Sequence, residues 1–344
     1  MDTKKNQISN QRMDKIFKMK KIFITGGGGY VGAALSDYLI KKNYQVTAYD
    51  LFLYGKDVFL EKEKIKLIEG DIRNIELLRR SIKNHDVVIH LACISNDPSF
   101  ELNPDLGKSI NYDAFEPLVK ASLESGVKRF IYASSSSVYG IKSEPNVNEE
   151  MTLEPLTDYS KFKADCEKIL FNYKSENFET VVIRPATVCG YSRRQRLDVI
   201  VNILSNLAFH KREISVFGGS QLRPNIHITD MIRAYELLIN SKTDLINGQT
   251  FNAGWENKSV DEIALTVKQN IGDDVKITKS HSDDNRSYHI SSQKIKDVLN
   301  FETKFTITDA VNDLKFAFEN KLLKNTLENE LFFNIKRMNK IKLR

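Results

Sequence analysis

The sequence predicts an α/β fold: a Rossmann-type, doubly wound parallel sheet with helices on both faces, followed by a smaller C-terminal α/β part. Three observations predict it. Short, continuously apolar runs alternate with helical patterns over the first 190 residues, and such runs suit strands covered on both faces. A glycine cluster, "TGGGGYVG" from Thr25 to Gly32, stands between the first strand and the first helix. An acid, Asp50, closes the second strand eighteen residues past Gly32.

The elements follow in order. "KKIFIT" places Ile22, Phe23 and Ile24 in a buried strand, and "YVGAALSDYLIKKN" puts Val31, Leu35, Tyr38 and Leu39 on one helical face. "YQVTAYD" is the second strand and "KIKLIEGDIRN", ending at Asp71, the third. His85–Ala92, Val127–Gly140 and Phe178–Gly190 read as three more, the fifth ending in four serines. Beyond residue 190 come a helix around Leu197–Phe209, a strand at Ile214–Phe217, the stretch "RPNIHITD" and a set from Ser259 to Asn320. The expected division is a disordered basic lead-in over 1–19, a dinucleotide-binding domain over 20–190, a mainly substrate-binding part over 191–320 with segments returning to the sheet, and a basic tail over 321–344.

Charge argues against a nucleic-acid partner despite a net charge of +6. Residues 1–21 carry seven Lys/Arg against two Asp, residues 321–344 seven against two Glu, and the middle 37 basic against 41 acidic residues. Basic ends of this kind read as solvated extensions. The N-terminal stretch lacks the apolar centre of a secretory signal, and no run approaches a membrane span. Cys93, Cys166 and Cys189 are odd in number and form no CxxC pair, which fits a reducing cytoplasm without disulfides or a metal site.

The glycines have a chemical reading. At a strand-to-helix turn the free N–H groups and the dipole of the helix start favour an anion, and glycine allows a pyrophosphate to approach closely. The spacing parses as Gly27, Gly29, Gly32 or as Gly26, Gly29, Gly32. Asp50 then stands where a carboxylate accepts hydrogen bonds from an adenosine ribose and repels a 2′-phosphate, favouring NAD over NADP.

In "TDYSKFKADCEKIL", Tyr159 and Lys163 are four apart on a predicted helix and so share a face. A free tyrosine titrates near ~10, so it needs a neighbouring cation to serve as a base near neutrality. Lys163 and an oxidised nicotinamide are the expected cations, and the phenolate would take a hydroxyl proton as hydride leaves the same carbon.

These pieces together resemble the extended short-chain dehydrogenase/reductase family, in its NAD-dependent nucleotide-sugar epimerase/dehydratase group. The matching stretches are "TGGGGYVG", Asp50, "GDIR", "HLA", "SSSSVYG", "YSKFK", "RPATVCG" and "RPNIHITD", with "DDNRSYHISSQKIKDVLNF" further on. The resemblance implies that Gly26, Gly29, Tyr30, Val31 and Gly32 hold the pyrophosphate turn. It implies that Asp50 holds the ribose, that Asp71 and Ile72 flank adenine, and that Leu91 and Ala92 pass beneath the cofactor. Ser135 would bind the reacting sugar hydroxyl, Tyr159 would be the base, and Lys163 would hold the nicotinamide ribose. Arg223 and Arg286 would bind a nucleotide diphosphate, with Thr187 near the sugar or nucleotide.

Two departures refine the expectation. The 4,6-dehydratase branch carries an Asp-Glu pair after the serine equivalent; here Ser136 and Ser137 stand there. Thr187 replaces an asparagine common in galactose-type epimerases. The expected activity is therefore C4 epimerisation of a nucleotide diphosphate sugar with NAD, in a homodimer. A C4 dehydrogenase or 4-keto reductase is the alternative, a dehydratase is disfavoured, and a non-catalytic dinucleotide sensor is weaker still because Tyr159 and Lys163 are both present. Arg193, Arg194 and Arg196 are left between a role at phosphate or an acidic sugar and simple solvation.

Overall fold

The computed structural model describes residues 19–281 and 287–343. The described strands are β1 (Lys21–Thr25), β2 (Gln45–Asp50), β3 (Lys66–Glu69), β4 (Val87–His90), β5 (Arg129–Ala133), β6 (Glu179–Pro185), β7 (Thr187–Cys189), β8 (Glu213–Phe217), β9 (Leu222–His227), β10 (Gln249–Ala253), β11 (Glu256–Ser259) and β12 (Lys276–Ser280). The α-helices are α1 (Tyr30–Lys41), α2 (Ile75–Ile82), α3 (Asp97–Glu101), α4 (Pro104–Lys108), α5 (Phe115–Glu124), α6 (Asp158–Phe171) and α7 (Ile200–Lys211). They continue with α8 (Ile228–Asn240), α9 (Thr243–Ile246), α10 (Val260–Ile271), α11 (Gln293–Leu299), α12 (Ile307–Glu319) and α13 (Asn334–Ile341).

Seven parallel strands form the main sheet in the order β10-β6-β5-β4-β1-β2-β3. The chain winds outward from β1 to β3, then returns to place β4 on the other flank of β1. That reversal opens a crevice at the carboxyl ends of β1 and β4, where open α/β sheets take their ligands. The register sets Ile24 between Ala48 and Ile89.

Alternation along β1 explains why this short strand is apolar throughout. Ile22 and Ile24 face a core with Leu35 and Leu39 of α1 and Met231 and Tyr235 of α8. Phe23 faces the opposite core, with Leu78, Ile82, Phe115 and Leu118. Each of the three is wholly buried, and full burial of such a side chain contributes roughly 1.5–3 kcal/mol.

The second part is built from β7, β9 and β11, a β8–β12 pair, and a cluster in which α7, α10 and α12 bury Val201, Leu204, Ile263, Val267, Ile307 and Val311. The single strand expected over Phe178–Gly190 is two strands in two sheets, β6 and β7. The chain leaves the main sheet at Pro185–Ala186, where the Ala186 N–H is already committed to the Ala253 carbonyl at 2.7 Å. Among the described residues no helix is long and apolar enough to cross a membrane.

Residues 1–18 of the lead-in lie outside the described residues. The C-terminal segment is not a solvated tail, because α13 docks on the main domain and buries Asn334 and Met338. Its basic residues obscure an apolar and amide face that only docking reveals.

Candidate active site

One cavity of about 520 Å³ runs along the crevice. Its wall brings together Gly26, Gly29, Tyr30, Val31, Gly32, Asp50, Asp71, Ile72, Leu91, Ala92, Ser135, Tyr159 and Lys163, with Thr187 and Arg223 also present. Of the residues singled out in the sequence, only Arg286 lies outside the described residues.

The glycine turn follows the Gly26, Gly29, Gly32 spacing. Gly26 has φ +72, and a Cβ there would stand 2.6 Å from the Ala92 nitrogen after β4. A Cβ on Gly32 would stand 2.1 Å from the Gly26 carbonyl oxygen, so any side chain would break the turn. Gly29 is the N-cap of α1 and has no side chain to cap it, which leaves the first N–H groups of a twelve-residue helix open towards the cavity. This cradle fits the pyrophosphate of a dinucleotide.

Asp50 closes the cradle from β2. Its carboxylate accepts from the Gly28 N–H at 3.0 Å and the Phe52 N–H at 2.7 Å. Burial pushes its pKa upward, opposed by those N–H groups and by Arg194. A carboxylate fixed in this way has lone pairs left for a ribose. Asp50→Ala is expected to weaken NAD and to narrow its advantage over NADP, read by fluorescence titration of both cofactors. An unchanged ratio would remove Asp50 from cofactor selection. Asp71 is held by its ion pair with Arg73.

Helix α6 starts with a capping box between Thr157 and Ser160, and the Thr157 hydroxyl also donates to Asp97 at 2.5 Å. That fixed start aims Tyr159 and Lys163 at the cavity. Lys163 is buried, its Nζ donates to the Ala133 carbonyl at 2.7 Å, and it stands 5.0 Å from the Tyr132 ring and 5.9 Å from the Tyr159 ring. Ser135 is the N-cap of a short turn after β5; its Oγ accepts from the Ser137 N–H at 3.1 Å and pairs with Ser137 Oγ at 2.8 Å. Ser134 Oγ is buried without a partner in the same wall.

Burial pushes the Tyr159 phenol up from its ordinary value, helped by Cys93 and Asp97 and opposed by the Arg196 guanidinium. The lysine lies over the ring and spends one proton on Ala133. Beneath the site, His90 is fully enclosed between Thr25 and Tyr132, and burial lowers its pKa to about 3, so it stays neutral.

The three arginines Arg193, Arg194 and Arg196 stand in different surroundings. Arg193 is exposed and reaches the Asp57 carbonyl. Arg194 is buried, with its guanidinium 3.5 Å from the Tyr54 ring centroid. Arg196 pairs with Asp198 at 2.5 Å, yet its Nη2 is buried with no hydrogen-bond partner. Arg223 donates to the Leu222 carbonyl and lies 5.8 Å from the Tyr288 ring. Asn334, Met338 and Leu343 from the C-terminal segment complete the wall. No motif signalled these three, because their position comes from chain return and not from spacing.

Comparison with known proteins agrees with this geometry. The model of the NAD dependent epimerase/dehydratase family matches residues 22–254. A UDP-N-acetyl-alpha-D-glucosaminuronate decarboxylase of Bacillus cytotoxicus is 28% identical over 263 residues, covering 73% of this chain and 80% of its own. A UDP-glucose 4-epimerase of Lactobacillus helveticus is 25% identical over 312 residues, covering 85% and 94%. The solved structure of MoeE5 in complex with UDP-glucuronic acid and NAD superposes with a TM-score of 0.77 at 23% identity, over 88% of this chain and 99% of that one. The family span stops before the C-terminal segment that roofs the cavity. With a cradle that fits the dinucleotide and a family match over most of its length, the chain belongs to the NAD-dependent epimerase/dehydratase family and uses NAD.

Proposed function

We propose that this enzyme interconverts C4 epimers of a nucleotide diphosphate sugar by transient oxidation at C4. The observation that carries the reading is that Tyr159, Lys163 and Ser135 share one cavity with the dinucleotide cradle, while the two positions after Ser135 are serines. Those two positions therefore offer no carboxylate for eliminating water across C5 and C6.

In this reading Ser135 Oγ holds the C4 hydroxyl, Tyr159 takes its proton, and Lys163 orients the nicotinamide ribose while keeping positive charge beside the phenol. NAD supplies the hydride acceptor and, when oxidised, a further positive charge close to Tyr159. Once the sugar has turned, Tyr159 returns the proton to the C4 oxygen. Arg223, at the cavity wall, grips the diphosphate, for which a guanidinium is well suited. The cycle involves no net redox change. NAD-loaded protein incubated with UDP-sugars and no added hydride donor or acceptor should equilibrate two C4 epimers, followed by proton NMR. Turnover that stops without a second redox partner would assign the chain to the C4 dehydrogenase or 4-keto reductase alternative.

A second reading concerns the sugar. Arg196 brings a buried, unpartnered Nη2 to the cavity that holds Tyr159, and an unmatched buried donor costs free energy until an acceptor arrives. A carboxylate at C6 would be that acceptor, as in the acidic sugar bound by MoeE5. UDP-glucuronate is then expected to have a higher kcat/KM than UDP-glucose. Arg196→Met should cut that preference roughly 10-fold or more, the scale of a hydrogen bond to a charged group. A ketone at C4 also lies β to a C6 carboxylate, so released CO₂ should be assayed. Loss of CO₂ would shift the reaction to decarboxylation, and equal use of both sugars would take the carboxylate away from Arg196.

A further inference from the structure

The C-terminal segment ties together both lips of the dinucleotide cleft through one side chain. Asn334 is buried. Its Oδ1 accepts from the Tyr54 hydroxyl at 2.9 Å and from Arg194 Nη2 at 2.7 Å. Its Nδ2 donates to Ser95 Oγ at 2.9 Å, and its backbone N–H donates to Asp198 at 2.8 Å. Tyr54 stands four residues past Asp50 on the β2 lip, and Ser95 three residues past Ala92 on the β4 lip. Arg194 and Asp198 belong to the substrate-side loop. One amide therefore joins three segments that the main sheet leaves separate.

Further contacts fasten the same segment. Arg337 Nε donates to the Leu53 carbonyl at 2.6 Å, and the Leu197 N–H donates to the Phe332 carbonyl at 2.8 Å. Met338 and Leu343 add apolar surface to the cavity wall. Helix α13 has only eight residues, too few to be stable in isolation, so its helicity depends on docking.

We propose that residues 330–343 form a clasp across the dinucleotide cleft that makes NAD a resident group instead of an exchanging cosubstrate, with Asn334 as its positioning residue. The clasp bridges the segments on either side of the cofactor, so the cofactor leaves only when the bonds to Tyr54, Ser95 and Arg194 open together. Residency suits a reaction without net redox change, but the inference rests on the family's use of NAD and not on the epimerase reading.

The test measures release of radiolabelled NAD from the loaded protein after dilution into excess unlabelled NAD. The full chain, Asn334→Ala and a chain ending at Asn329 are compared. The full chain should retain label through gel filtration. Both variants should release it about 10-fold faster or more, the scale of one or two lost hydrogen bonds. If the shortened chain fails to fold by circular dichroism, Asn334→Ala and Arg337→Ala decide alone, since each keeps the rest of the segment. Equal release rates in the full chain and the folded variants would overturn the clasp. So would weaker sugar binding with unchanged NAD release, which would move the segment to the substrate side. A failed epimerase assay with the release difference intact would count against the proposed reaction and leave the clasp standing.

Discussion

Tyr159→Phe should fold, bind NAD and lose nearly all turnover. The substitution keeps a ring at the position and removes only the hydroxyl that accepts the C4 proton. Loss of a general base of this kind typically lowers the rate by about 10²–10⁴-fold. The change should fall on kcat, with KM for the sugar moving little, because the proton transfer is made in the transition state and not in ground-state binding. The pH profile adds a second reading. Burial raises the phenol and Arg196 opposes that rise, so activity should increase with pH along its acidic limb as the phenolate forms. Removing the Arg196 cation raises the phenol further, so Arg196→Met should move that limb towards alkaline pH. Near-full activity of Tyr159→Phe on the true substrate would end the assignment of the site.

Glu167→Ala should be the most damaging single change to stability outside the central cores. Glu167 is four residues past Lys163 on α6 and meets Arg184 of β6 in a two-pronged pair, at 3.0 Å from Nε and 2.6 Å from Nη2. Both side chains are almost fully enclosed, with 4% and 6% exposed. Arg184 also donates to the Tyr139 hydroxyl at 2.7 Å, which in turn donates to Asn252 at 2.7 Å. Truncating the acid strands a buried guanidinium, at a cost of about 3–5 kcal/mol, and should lower Tm by on the order of 10 °C. The double variant Glu167→Met with Arg184→Met should recover much of that loss, because an apolar pair leaves no charge uncompensated. A Tm within a degree or two of the parent for Glu167→Ala would show that Arg184 finds another partner. The pair pins the helix carrying Tyr159 and Lys163 to the sheet, so slower turnover is expected to accompany the thermal loss.

The site was legible in the sequence to the extent that its chemistry rests on local spacing. The glycine turn needs close backbone approach, and only glycine allows it, so the cluster at Gly26–Gly32 declares itself. Tyr159 and Lys163 declare themselves through a four-residue helical step. Arg196 adds a further cation that acts on the Tyr159 phenol. Its place there depends on where a loop 33 residues past Lys163 returns, which no local pattern reports. Arg196 and Arg194 looked equally suited to solvent or site. Burial decided the matter, since both guanidinium groups lie in the cavity wall.

By itself, the sequence determined the parallel sheet, the dinucleotide turn and the pairing of a tyrosine with a lysine on one helix. Each follows from short-range rules: apolar runs of strand length, glycine at a strand-to-helix turn, and side chains one helical turn apart. Tertiary structure alone decided the split of the 178–190 stretch between two sheets and the partners of the buried arginines. It also decided the fate of the C-terminal residues, whose basic composition reads as an extension in water. Asn334 docks over the crevice because its partners, Tyr54, Ser95 and Arg194, come from three distant segments brought to one place by the winding of the sheet. Long-range contacts of this kind leave no periodicity in the chain, and only the assembled fold supplies the surface that gives those residues their role.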